Sequence, residues 1–136
     1  MLKTCAAGSL TALLLLVGTA CGDPEEALGN AVSAASCTAA KQAVAPVKDG
    51  VRSAVADLGA DPAAAQRKLE VLKGAVDGVT ATIHGEVKKS LQGVSDDLDT
   101  LIAQAKAAAD GAVDQKAVNQ AQTDLGTAVD DVTEIC

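Results

Sequence analysis

The 136-residue chain contains no Phe, Tyr or Trp. Aromatic rings stack on bases and sugars and anchor many protein interfaces, so sites that depend on them are excluded. The apolar content comes instead from 29 Ala residues and from Val, Leu and Ile. Because a core made of these side chains is thin, we expect close helix–helix approach to replace side-chain bulk.

Positive charge is also scarce. The chain has 11 Lys and Arg against 18 Asp and Glu, a net charge of −7, and its only arginines are Arg52 and Arg67. A surface that binds phosphates needs clustered cations, so we expect no nucleic-acid partner. Anionic lipid head groups would repel such a surface, so membrane attachment has to come from another source.

Residue patterns that carry chemistry are missing too. His84 is the only histidine, and its neighbours include no nucleophile or orienting carboxylate arranged for catalysis. The acidic runs 96–99 and 130–131 lack the loop glycine and terminal glutamate of an EF-hand. We therefore expect a non-enzymatic protein without a cofactor or a metal site, in which His84 is a solvated or junction residue.

The first 22 residues have the character of an export signal. Lys3 supplies one positive charge, and no further charge appears until Asp23. The apolar stretch centred on residues 13–16 matches a signal-peptide core in length. Threonine, glycine and serine dilute it too much for a permanent span, which needs roughly 20 apolar residues.

Cys21 ends the run Val17-Gly18-Thr19-Ala20-Cys21. This run resembles a bacterial lipobox, with Gly18 where such motifs usually carry Leu. The resemblance covers residues 1–22. It implies removal of residues 1–20, a diacylglyceryl thioether on Cys21 and usually an N-acyl chain such as palmitate. The protein would then be held on the outer face of the cytoplasmic membrane. The alternative is an ordinary Cys21 beside a conventional cleavage site after Ala20. Loss of Lys3 takes the net charge from −7 to −8.

Apolar residues spaced by three and four predict an all-α antiparallel bundle of three to four helices. We assign residues 21–36 to the lipidated cysteine and a short tether, either helical or partly ordered, and residues 37–136 to the bundle. Asp61-Pro62 marks a helix start, and Pro46 should bend or interrupt the first helix. The helices are expected at about 37–58, 62–92, 95–109 and 113–135.

The middle two helices are also compatible with one continuous helix. Gly85 is one possible break. Lys88-Lys89, followed by Gly93 and the capping pattern of Ser95-Asp96-Asp97, is the break we favour.

Residue counts along antiparallel helices place Cys37 and Cys136 at one level, beside residues 84–86. We therefore expect a disulfide between these two cysteines, as an oxidising compartment permits. The same count places Lys41, Lys88 and Lys89 near acidic residues 130, 131 and 134.

A face with small residues offers a candidate contact for another helix, formed by Gly74, Gly78 and Gly85. The alternative is that this face packs inside the bundle. These features together predict a lipid-anchored binding or spacer module of the cell envelope. It would contact the membrane through the acyl chains on Cys21, and an unidentified envelope protein or a second copy through its helices. The alternative function is a carrier of lipid or another small apolar ligand.

Overall fold

The computed structural model describes residues 24–136, with side chains described from Ser33 onward. Five helices follow one another: α1 Pro24–Val44, α2 Val47–Asp57, α3 Pro62–Thr80, α4 Gly85–Ala109 and α5 Gln115–Ile135. No strand occurs within residues 24–136. The helices α3, α4 and α5 pack successively, and α1 with α2 forms a fourth arm against α3 and α5. The predicted all-α bundle is confirmed. The predicted export signal and the lipidation of Cys21 lie outside the described residues.

The first arm is interrupted at Ala45–Pro46, as the proline predicts. Proline has no backbone N–H to continue the helical hydrogen bonding, and the chain restarts as α2 at Val47. The arm also begins earlier than the predicted residue 37, because α1 is helical from Pro24. The sequence leaves two alternatives for the segment before Cys37, a helix or a partly ordered tether. The described part of this segment, from residue 24 onward, is helical.

The break in the middle of the chain lies at residues 81–84, and the predicted boundaries at 92 and 95 are wrong. Gly85 adopts a positive φ of 75°, which favours glycine, and His84 before it is extended. Gly93 lies inside α4, where an added Cβ would stand 3.6 Å from the Ala128 Cβ of α5. That glycine therefore serves close packing rather than a helix stop.

Two aspartates cap helices at the turns that connect the arms. Asp61 accepts a hydrogen bond from the Ala64 N–H at 2.9 Å, with Pro62 in the first turn, as the sequence predicts. Asp114 accepts from the N–H groups of Lys116 and Ala117 and starts α5. Both turns lie at the opposite end of the bundle from residues 81–84.

The core runs the length of the bundle and is made of Val, Leu, Ile and Ala. Every arm contributes a row of buried side chains at helical spacing, as the spacing of apolar residues by three and four predicts. The largest fully buried side chains are those of Val47, Leu69, Val76, Ile83, Leu91, Val94, Leu98, Leu101, Val118, Leu125 and Val132. Ile83 is buried although it lies in the connection between α3 and α4, so it closes that end of the core.

Candidate functional site

One end of the bundle is closed by a disulfide between Cys37 of α1 and Cys136, with a Cα–Cα distance of 5.2 Å. The two cysteines lie next to the connection between α3 and α4, as residue counting predicts. A surface cleft of about 380 Å³ lies beside them, lined by Ser33, Ser36, Cys37, Thr82, Ile83, His84, Glu86, Val87 and Ile135. We call this region the disulfide end. His84 lies there, exposed, at the N-terminus of α4, and its side chain makes no capping hydrogen bond.

The lysines and acidic residues that residue counting places near each other at this end form no ion pairs with one another among residues 33–136. Within residues 33–136, Asp130 of α5 pairs with Lys48 of α2, and no ion pair involves Lys41, Lys88 or Lys89. Residue counting gives the level of a side chain along the bundle but not its direction around the helix. The correct level was therefore not enough to identify the partner.

The side of α3 that faces away from the core is open to solvent. Arg67, Val71, Gly74, Ala75 and Gly78 are exposed there, and we call them the open face of α3. Val71 is 73% exposed, more than Val113 or Ile135, the other exposed large hydrophobic residues among residues 33–136. A Cβ built on Gly74 or Gly78 would meet nothing within 4 Å. The predicted small-residue face is therefore not packed inside the bundle, and Gly85 is the first residue of α4 rather than part of α3.

An apolar cleft of about 450 Å³ lies between the open face of α3 and α2, lined by Gly50, Ser53, Arg67, Lys68, Val71 and Leu72. Gly50 allows α2 and α3 to approach closely, since an added Cβ would stand 2.7 Å from the Leu72 Cδ1. Lys68 at the rim donates to Ser53 at 2.9 Å and pairs with Asp57. The cleft therefore combines an apolar floor with cationic side chains at its edge.

A polar network joins α3 to α4 along the edge of the open face that lies away from α2. Lys73 Nζ lies 2.6 Å from Asp77 Oδ2, 3.0 Å from Ser95 Oγ and 3.4 Å from Asp99 Oδ2. The Ser95 hydroxyl donates to Asp77 Oδ1 at 2.6 Å, and Ser95 is only 8% exposed. This network fixes the position of α3 against α4.

The pKa values of the two charged groups in this network are shifted in opposite directions. The hydrogen bond to Asp77 and the nearby carboxylates raise the pKa of Lys73 above its usual value of 10.5, against the opposing effect of desolvation. Hydrogen bonds from Lys73 and Ser95 lower the pKa of Asp77. Both shifts favour the charged forms, so Lys73 and Asp77 are held as an ion pair to which the Ser95 hydroxyl is hydrogen-bonded.

Acidic side chains accumulate between α4 and α5. Desolvation raises the pKa of Asp97 above its usual value, and the charges of Asp124 and Asp96 raise it further. Asp124 accepts two hydrogen bonds from the Gln120 amide and has no cation within ion-pair distance among residues 33–136. The described chain contains no group of three or more His, Cys, Asp or Glu side chains placed to hold a metal ion.

No protein-family model, curated protein or solved structure matches the chain. Within the described part, none of the helices combines the length and apolarity that crossing a bilayer requires.

Neither the exposure of Val71 nor the polar network between α3 and α4 was predicted from the sequence. Val71 lies outside the apolar row formed by Leu69, Leu72 and Val76. It lies on the same side of the helix as Gly74, and this position indicates that it is exposed. The polar network also has a signal in the sequence, because Ser95 occupies a core position between Val94 and Leu98. A buried hydroxyl in an apolar row indicates a partner on the neighbouring helix.

Proposed function

We propose that this protein is a lipoprotein of the bacterial cell envelope, anchored by acyl chains on Cys21, that acts as a non-enzymatic binding or spacer module. The observation that carries the proposal is the course of α1. It is helical from Pro24, three residues after Cys21, and the bundle is closed at Cys37. Thirteen residues at 1.5 Å each give a helical stalk of about 20 Å.

This arrangement directs the disulfide end towards the membrane and the turns at residues 58–61 and 110–114 away from it. Each acyl chain contributes about 0.8 kcal/mol per buried methylene, so two or three chains suffice for durable anchoring. The helix faces then stand beside the membrane, where neighbouring proteins can reach them.

The test compares two cysteines of the leader region in the full-length protein. Cys21→Ser should abolish the diacylglyceryl modification and leave no mature N-terminus at residue 21. Cys5→Ser should change neither, because that residue is removed with the leader. Mass spectrometry of the N-terminal peptide from isolated membranes reads out both. An unmodified Cys21 in the wild-type protein, or a mature N-terminus elsewhere, would refute the anchoring.

A second candidate function is supported by the apolar cleft between α2 and α3. Its floor of Val71 and Leu72 with Arg67 and Lys68 at the rim fits an acyl chain that ends in a carboxylate. Native mass spectrometry of protein purified from envelopes should then detect a copurified ligand. The ligand should be lost on Arg67→Ala and retained on Arg52→Ala, which changes the other arginine. Absence of any bound mass from the wild-type protein counts against the carrier.

A further inference from the structure

We propose that the open face of α3 binds a second copy of this chain in the same membrane, with the two α3 helices parallel. The inference rests on the proposed anchoring and names the partner of the candidate contact face. It is supported by the exposure of Val71, by the uncharged surface between Val71 and the C-terminal end of α3, and by the charges of Arg67 and Glu70 on the N-terminal side of Val71.

From Val71 to the end of α3, the side directly opposite the core carries no charge. Gly74, Ala75 and Gly78 follow Val71 there, all exposed. The charged Lys73 and Asp77 turn instead towards α4, where they join Ser95. Glycines at positions i and i+4 of a helix let a second helix approach closely, and Val71 supplies an apolar contact one turn away.

The anchor determines how two copies meet. Copies held in one membrane by the same stalk share an orientation, so a twofold axis along the membrane normal brings identical faces together. The two α3 helices then run parallel, and Gly74 and Gly78 of both copies meet at the crossing.

The charges above the crossing are complementary in this arrangement. Among residues 33–136, neither Arg67 nor Glu70 takes part in an ion pair. They are three positions apart, so in a parallel pair Arg67 of one copy reaches Glu70 of the other, and the contact occurs twice.

The size of the face determines how strong the contact is. From Arg67 to Gly78 it is about 17 Å long, at 1.5 Å per residue. One helix pair of this length buries less than the roughly 800 Å² per partner of a stable interface. Confinement to the membrane plane raises the effective concentration enough for a weak contact to be populated.

The test is site-specific cysteine cross-linking of the full-length protein in intact membranes. Ala75→Cys places a thiol in the centre of the open face of α3, and Ala103→Cys places one on the exposed side of α4. After mild oxidation, a reducible homodimer should form at position 75 at about ten times the yield at position 103, a difference of about 1.4 kcal/mol.

A second substitution separates contact from folding. Gly78→Leu adds bulk where the structure has open space and replaces a poor helix former, so the fold is retained. It should abolish the cross-link at position 75, whereas Ala103→Leu should not. Melting curves verify the fold of each variant.

The proposal is overturned by equal or absent cross-linking at the two positions, by an adduct with a different protein, or by a dimer that persists in Gly78→Leu. Acylation of Cys21 is measured in the same samples. An acylated protein without the dimer refutes only the pairing, whereas an unacylated Cys21 refutes the anchoring whatever the cross-links show.

Discussion

Among the single residues, Asp77 links the two central helices through its two carboxylate oxygens. One oxygen accepts from Lys73 and the other from Ser95, and both hydrogen bonds favour the ionised form and lower its pKa. A carboxylate with a lowered pKa stabilises the fold above its unfolded-state pKa, and this stabilisation is lost as the pH falls through the folded-state value. Lys73 has the opposite dependence, since its raised pKa stabilises the fold until the pH rises above 10.5.

We therefore predict that Asp77→Asn lowers the free energy of unfolding at pH 7 while the amide oxygen still accepts from Ser95. Asp77 is 47% exposed, so the loss should be at most about 1 kcal/mol. The difference from wild type should vanish between about pH 5 and pH 2. Urea unfolding across this range measures it. A difference that does not change with pH would show that charge is not the cause.

Asp97 should behave in the opposite way. Its pKa is raised first by desolvation and then by Asp124 and Asp96, so ionisation at neutral pH destabilises the folded state. We predict that Asp97→Asn increases stability at pH 7 and that the gain disappears at acidic pH, where wild-type Asp97 is protonated. Thermal unfolding at both pH values tests this. Because the two carboxylates repel each other, Asp97→Asn with Asp124→Asn should gain less than the sum of the single changes.

At the scale of the helices, the contact between α2 and α3 depends on the missing side chain at Gly50. We predict that Gly50→Val destabilises the protein by about 1–3 kcal/mol, because the added atoms occupy the position of Leu72. Gly126→Val in α5 is the matched control, since a Cβ there meets nothing within 4 Å. Chemical denaturation of both variants gives the comparison. Equal effects would mean that Leu72 moves aside without cost.

How much of the helical layout the sequence determines differs from one boundary to another. Asp61-Pro62 and the spacing of apolar residues fixed the start of α3 and the core positions, because caps and periodicity act locally. The end of α3 was misplaced because Gly93 and Ser95 look like a stop and a cap. Their actual roles are tertiary: Gly93 packs near Ala128, and Ser95 binds Asp77.

The candidate site, too, could be predicted from the sequence only in part. The pairing of Cys37 with Cys136 could be predicted because helix length converts residue counts into levels along the bundle. The partner of Asp130 could not, because Lys48 and Lys41 differ in their direction around the arm, which depends on the interruption at Pro46. The exposure of Val71 could be predicted, because this residue lies outside the apolar row of Leu69 and Val76.

For the molecule as a whole, the disulfide contributes to stability and can be removed without changing any residue of the buried core. Its sequence separation of 99 corresponds to about 4.7 kcal/mol in the chain-entropy description, a large part of a typical stability of 5–15 kcal/mol. We predict that Cys37→Ser with Cys136→Ser lowers the unfolding free energy by up to this amount and leaves the helical content intact. Denaturation followed by circular dichroism measures both. A loss well below 1 kcal/mol would show that packing alone holds the two ends.

The same bridge makes the backbone between Cys37 and Cys136 a closed ring. A protease that nicks an exposed turn, such as the one at residues 110–114, cuts the ring once and releases no fragment. The two pieces stay covalently joined and packed on each other, and they separate only when a reductant opens the bridge. A molecule that is cut once in this way therefore stays whole until the bridge is reduced.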